Sequence, residues 1–300
     1  MENLERGRSE YTLVWIIENV GHAWQTLGEK LVSPKFITHL QENSTWTLEL
    51  YPRGVSNEEY ISCFFIINSA DKVPNCDVDF EIIITPNGGS SRARSASIPF
   101  TARRGGFPCF MKRSEILFGN QFLNPNSLTL QCRIKLKSHI HDVCFGESFV
   151  KTHILVKRIS HSCYFASDTA YKSICIRQLS ESRPFMIIRI QRNHPNEFEI
   201  HLNPNDVGSN ARYFTLELGL ADEVTGDKFW NRRYRGWSPL PQQSIFVPVP
   251  WINQSSENTV TPVRRRLIKF DCEVAYSTGE DHAENERVVV THRCDIETRV

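Results

Sequence analysis

Long apolar runs are missing from this 300-residue chain. No segment approaches the ~18 consecutive apolar residues of a bilayer-spanning helix, so no membrane partner is expected. An excess of one charge is missing as well. Lys and Arg number 35 against 34 Asp and Glu. That balance leaves no global field to hold nucleic acid or an anionic membrane. The nine cysteines contain no Cys-x-x-Cys pair, and their odd count leaves no complete disulfide set. The opening MENLERGRSE is charged and lacks the apolar core of a secretory signal. These absences predict an intracellular protein, in nucleus or cytoplasm, with reduced cysteines such as Cys132 and Cys272 in its core. The sequons at Asn43 and Asn253 are then read as chance.

Signatures of chemistry are equally scarce. His139-Ile140-His141-Asp142 is the one metal-like cluster, and it has no further ligands at suitable spacing. Pro86-Asn87-Gly88-Gly89-Ser90-Ser91 precedes neither a Walker lysine nor a helix and reads as a hairpin turn. No catalytic-cysteine signature surrounds any Cys. Neither an enzyme nor a cofactor is expected.

What the chain does contain is alternation. Trp46, Leu48 and Leu50 alternate with Thr47, Glu49 and Tyr51, then Pro52 and Gly54 stop the run. Tyr60 to Asn68 restarts a strand that is apolar on both faces in its middle. Val78, Phe80, Ile82 and Ile84 alternate with acidic neighbours, and Leu128 to Leu136 alternates with polar ones. Tyr11 to Ile17 opens the series, and Ser33-Pro34 breaks the run from Leu31 to Phe36. A short helix is expected only at Lys112 to Phe118. Many short strands with regular turns predict an antiparallel sandwich.

The second half echoes the first. Phe198 to Pro204 echoes Trp46 to Pro52, Tyr213 to Leu218 echoes Tyr60 to Phe65, and Ile268 to Val274 echoes Leu128 to Ile134. Three echoes in one order point to a duplicated unit. His153 to Ile159 is read as the first strand of the second unit, Glu280 to Glu286 as a loop, and Val288 to Thr291 as a last strand. Two basic clusters stand out. Arg92-Ala93-Arg94-Ser95-Ala96-Ser97 has the pattern of a basophilic kinase site on an exposed loop. Phe229 to Trp237 interleaves aromatics with arginines, and reads first as an inter-strand loop whose Trp rings plug the sandwich end. A second peptide surface is the next reading, and nucleic acid the last.

Several of these runs resemble one family. Tyr11-Thr-Leu-Val-Trp15-Ile-Ile-Glu-Asn19, Ser33-Pro34-Lys-Phe36, Trp46 to Gly54, Tyr60-Ile-Ser62, Gly106-Phe107 followed by Phe110 and Arg113, and Pro125 to Cys132 occur in the order of the MATH (TRAF-like) domain motifs. The wording is most similar to the MATH region of speckle-type POZ proteins, with no recognisable BTB/POZ segment. The resemblance implies an all-β fold: a TRAF/MATH-like β-sandwich over residues 8–138, followed by a divergent β-rich domain over 150–300. That second domain reads as a degenerate second MATH-like unit.

The resemblance also implies a function. Such domains bind short extended peptides of partner proteins in a shallow groove and do no chemistry. The aligned groove positions are Phe64, Val78, Ile98 and Phe107, with Gly106 before the last. Gly105 stands where the family has its wall Trp, leaving space there, and Arg104 replaces an acidic residue. Phe64 and Phe107 are expected on one face, and Arg103 and Arg104 would favour an acidic or phosphorylated peptide. By analogy the partners would include components of a cullin-RING ubiquitin ligase. The alternative is a structural or signalling scaffold of TRAF-like type. The ending Glu297-Thr298-Arg299-Val300 also fits a PDZ-domain ligand.

Overall fold

The structure is a computed structural model that describes residues 9–37, 45–68, 77–87, 89–117, 127–136, 143–177, 186–194, 197–204, 211–237, 243–248 and 266–293. The chain divides into two compact units, Met1–Ile154 with Asp281–Val300, and Leu155–Glu280. The division falls inside a strand, not in a connection between 138 and 150. The His139–Asp142 cluster, the asparagines of both sequons and the C-terminal tail from 294 lie outside the described residues.

The first unit is built from the alternating runs. One sheet has the order β1 (Ser9–Glu18), β9 (Ser127–Leu136), β6 (Asp77–Pro86), β7 (Arg92–Pro99). The other has the order β2 (Leu31–Val32), β4 (Thr45–Tyr51), β5 (Tyr60–Asn68), β8 (Arg104–Lys112), with β3 (Phe36–Ile37) also on β4. The Ser33-Pro34 break separates β2 from β3, because proline cannot donate to the ladder. The expected helix is the single turn α1 (Arg113–Leu117). Trp46, Leu48, Leu50, Leu130 and Cys132 are all fully buried, as the period of two requires. Burial pushes the Cys63 and Cys132 thiols far up, so they act as small apolar residues.

A 24-residue strand, β10 (Val143–Ala166), carries the chain from the first unit into the second. Its first segment runs parallel to β1, in register from Glu10 with Phe145 to Glu18 with His153. Sequence reading missed this segment, because Ser148 and Thr152 break the apolar phase. Both hydroxyls are buried and occupied. Ser148 meets the Tyr11 hydroxyl at 3.1 Å, and the Trp15 indole N–H donates to Thr152 at 2.9 Å. At the rim, the Glu18 carboxylate accepts from Lys151 at 2.8 Å and contacts His153 Nδ1 at 2.8 Å. The hydrogen bond from Lys151, then that from His153, holds Glu18 below its ordinary value of 4.5. A depressed carboxylate contributes stability above the unfolded value and loses it as pH falls through the folded one. The unfolding temperature of wild type should therefore drop more steeply below pH 4.5 than that of Glu18→Gln. Parallel curves in a pH series of melts would remove this role.

In the second unit, one sheet has the order β10, β17 (Leu267–Arg293), β14 (Tyr213–Asp222), β15 (Lys228–Trp237). The other is β11 (Tyr171–Ile176), β12 (Met186–His194), β13 (Glu197–Pro204), β16 (Gln243–Pro248). Its core joins Ile188, Ile200, Leu216, Leu218, Phe270 and Val274. Numbered along each unit with β3 left aside, both units pair their strands as 1-8-5-6 and 2-3-4-7.

That order corrects two echoes. β13 takes the fourth place in its unit, like β5, whereas it was matched to the third, β4. β14 takes the fifth place, like β6, not the fourth. The match of β17 to β9 stands in the same place. Half-buried strands look alike in alternation, and only pairing sets their place in a sheet. Three further readings change. Residues 92–97 and 229–237, read as loops, are strands β7 and β15, and 280–286, also read as a loop, continues β17. Polar side chains report exposure, while the ladder is made by the backbone, so an exposed strand is easily mistaken for a loop.

Candidate functional site

β7 and β8 end their respective sheets, and around them the aligned groove residues gather. Strand parity decides which way each side chain faces. Phe64 pairs with Gly106 and Phe65 with Gly105 across β5 and β8. Phe65 enters the core, stacked on Trp46 at 5.7 Å and edge-on to Phe80 at 4.7 Å. Phe64 therefore faces away from the core and is half-buried.

On that outer face the Arg104 guanidinium lies 3.9 Å from the centre of the Phe64 ring. It also donates to Tyr51 Oη at 3.2 Å and to Glu49 Oε2 at 3.4 Å. Tyr51 donates to the same Glu49 oxygen at 3.0 Å and packs edge-on to Phe64 at 5.7 Å. Lys30 pairs with the other Glu49 oxygen. Burial, then the bond to Glu49, pushes the Tyr51 hydroxyl up. Glu49 is buried and carries two cations at once, so the outer face keeps a net positive balance. Arg103 is exposed, in a left-handed conformation with φ 53°. Sequence reading missed Glu49, Tyr51 and Lys30. Alternation does put Glu49 and Tyr51 on one side of β4, but nothing in the wording of β5 and β8 announces that Phe64 and Arg104 join them.

Phe107 does not share this face, contrary to expectation. It lies on the inner side of β8, 5.7 Å from Phe80 and 5.9 Å from Phe110. Arg94 of β7 covers this margin, 5.9 Å from the Phe107 ring centre and 5.8 Å from that of Phe110. The two aromatics sit on opposite faces of the sheet because 64 and 107 belong to oppositely facing cross-strand pairs.

Two other expectations need correction. Val78 is fully buried, so it supports the site from the core and offers no surface to a ligand. Gly105 leaves no space: a Cβ there would come within 2.4 Å of Phe65 Cε1 and 2.9 Å of Ile98 Cδ1. Phe65 and Ile98 occupy the volume expected to be empty. Ile98 is half-buried at the end of β7. Gly106 is held as tightly, its Cβ position 2.3 Å from the Cys63 carbonyl oxygen.

The fold of the first unit is an antiparallel β-sandwich. Comparison with known proteins makes that particular. A family model described as the MATH domain, a protein-interaction module, matches residues 12–134. A mouse protein, TD and POZ domain-containing protein 4, is 28% identical over 130 residues. That match takes in 41% of this chain and 35% of the mouse protein, so the chain spans about a third of that relative. Among solved structures, a beta-porphyranase of glycoside hydrolase family 86 from Bacteroides plebeius aligns over 84% of this chain and 37% of its own. At 8% identity and a TM-score of 0.17 it carries no argument about fold or activity. Among the described residues no helix is long and apolar enough to cross a membrane.

Proposed function

We propose that this protein is a peptide-recognition adaptor whose first unit binds short extended segments of partner proteins across the outer face of β5 and β8. The observation that carries the reading is the cluster of Phe64, Tyr51 and Arg104 beside β8, an end strand, within the residues that match the MATH domain family. An extended chain can add its backbone to an end strand while an aromatic platform takes alternate side chains. Arg103, Arg104 and Lys30 against the single Glu49 favour an acidic or phosphorylated segment. Its carboxylate or phosphate would compete with Glu49 for Arg104. In this reading Arg94 and Ile98 of β7 shape the margin, and Val78 and Gly105 only support it.

The two units, with their identical strand order, are read as two copies of one sandwich, the second without the motifs of the first. The adaptor role extends to choosing substrates for a cullin-RING ubiquitin ligase. A TRAF-like scaffold with no ligase link is the alternative, and co-purification of a cullin with the tagged full-length protein separates the two.

The binding reading is tested on a peptide array followed by titration. Acidic and phosphoserine peptides should bind best. Phe64→Ala should weaken the best of them by about 1–2 kcal/mol, roughly tenfold. Arg104→Ala should weaken acidic peptides more than neutral ones. Unchanged affinity in the double variant Phe64→Ala, Arg104→Ala would remove this face as the site.

A further inference from the structure

We propose that Ser97 on β7 is a phosphorylation site for an arginine-directed serine kinase, and that its phosphate loosens β7 from β6. The consequence for peptide binding rests on the function proposed above, while the modification itself does not. Arg92 and Arg94 stand five and three residues before Ser97, a spacing that recurs once, at Ser238 after Arg233 and Arg235. Kinases of this class read paired guanidinium groups with acidic pockets, for which arginine is the fitted cation.

The structure adds three observations that the motif alone lacks. First, the segment is presented. Every residue from Arg92 to Ser97 is exposed, and β7 is an end strand, paired among the described residues only with β6. It is already extended, as a bound kinase substrate must be. Second, the arginines are held weakly. Arg92 pairs with Glu115 at 3.0 Å at an exposed site, and Arg94 rests over two rings. Exposed pairs of this kind yield readily to a competing carboxylate.

Third, the serines face acids. Ser95 and Ser97 line a concavity of about 410 Å³ with Asp79, Glu81, Arg133 and Lys135. In the ladder Ser97 lies opposite Asp79 and Ser95 opposite Glu81. The Ser97 hydroxyl donates to Asp79 Oδ1. Each nearby cation already neutralises an acid, Arg133 with Glu81 at 3.1 Å and Lys135 with Glu10 at 3.3 Å, so drawing either to the phosphate leaves a carboxylate uncompensated.

In the transfer, Ser97 Oγ bonds to the γ-phosphorus of ATP as the bond to the β–γ bridging oxygen breaks. ADP leaves, and the hydroxyl proton passes to the base of the kinase. The product places a charge of about −1.5 to −2 directly opposite Asp79 and removes the donor that held it. Like charges directly opposite in a ladder destabilise the pairing. β7 carries Arg94 and Ile98, so loosening it would open the margin at Phe107 and Gly105.

The test uses the folded chain carrying Ser238→Ala, which removes the second serine at this spacing, with Mg-ATP and an AGC-class kinase selective for Arg-x-Arg-x-x-Ser. Tandem mass spectrometry should find one phosphate, on Ser97. Ser97→Ala should abolish uptake, Ser95→Ala should leave it, and Arg94→Ala should slow it about tenfold or more. Amide exchange should then rise in β7 and stay unchanged in β4 and β9. Phosphate on another residue, or uptake only by heat-denatured chain, would overturn the site. Uptake on Ser97 with unchanged exchange in β7 would overturn the loosening. Both readouts are independent of peptide binding, so a failed array would leave them standing.

Discussion

A chain cut after residue 137 should be largely unfolded under conditions where a chain cut after residue 154 melts cooperatively. Both fragments lack the second unit and residues 281–300, so the comparison isolates the first segment of β10. That segment gives Val150 and Ile154 to the core. Each such side chain is worth about 1.5–3 kcal/mol when fully buried. It also supplies the hydroxyls that satisfy Tyr11 and Trp15, each bond worth about 1 kcal/mol. With the parallel ladder added, the loss is on the order of 5 kcal/mol or more, against a whole-domain stability that begins near 5. The fit is close: a Cβ on Gly146 would lie 2.0 Å from Tyr11 Cε2, so the strand is seated directly on that ring. Far-ultraviolet melts of the two fragments check the claim. Equal midpoints would mean that β10 merely decorates a domain complete at the end of the family match, residue 134.

The contrast between β9 and β10 shows what the sequence can state. In β9 every second residue is apolar, so the strand and its buried face follow from spacing alone. In β10 the positions facing Tyr11 and Trp15 are Gly146, Ser148 and Thr152. Polarity there reflects a hydrogen bond to a partner more than a hundred residues away, which no local pattern reports. The site divides in the same way. Motif wording named Phe64, Arg104 and Phe107, but their directions depend on the pairing of β5 with β8, which carries a register shift between Ile61 and Cys63. A shift of one residue in a strand turns every side chain to the other face. Phe64 pairs with Gly106 and Phe107 with Cys63, adjacent pairs that face opposite sides, so two aromatics expected together lie apart. Arg94 was legible as a charge near a serine, yet its place over Phe107 needed the fold.

A tryptophan at position 105, where the MATH resemblance implies one, should damage this protein. Gly105→Trp is expected to lower stability by about 3 kcal/mol, at the upper end of the usual cost of overpacking a core. The cause is local: Phe65 Cε1, Phe65 Cζ and Ile98 Cδ1 lie 2.4, 2.7 and 2.9 Å from where even the first side-chain carbon would sit. Phe65 cannot step aside cheaply, because Trp46 and Phe80 hold its ring. The glycine at 105 and the inward position of Phe65 are thus two halves of one packing solution. That coupling gives the sharper test. Residues in contact show non-additive effects. Phe65→Ala alone should cost about 3–5 kcal/mol through the cavity it leaves. The double variant Phe65→Ala, Gly105→Trp should be more stable than the sum of the two losses, with the indole filling part of that cavity. Urea denaturation of the three variants measures the cycle. Simple additivity, or a Gly105→Trp protein with the wild-type midpoint and a solvent-exposed emission maximum, would show that the indole escapes outward and that the groove wall can be rebuilt.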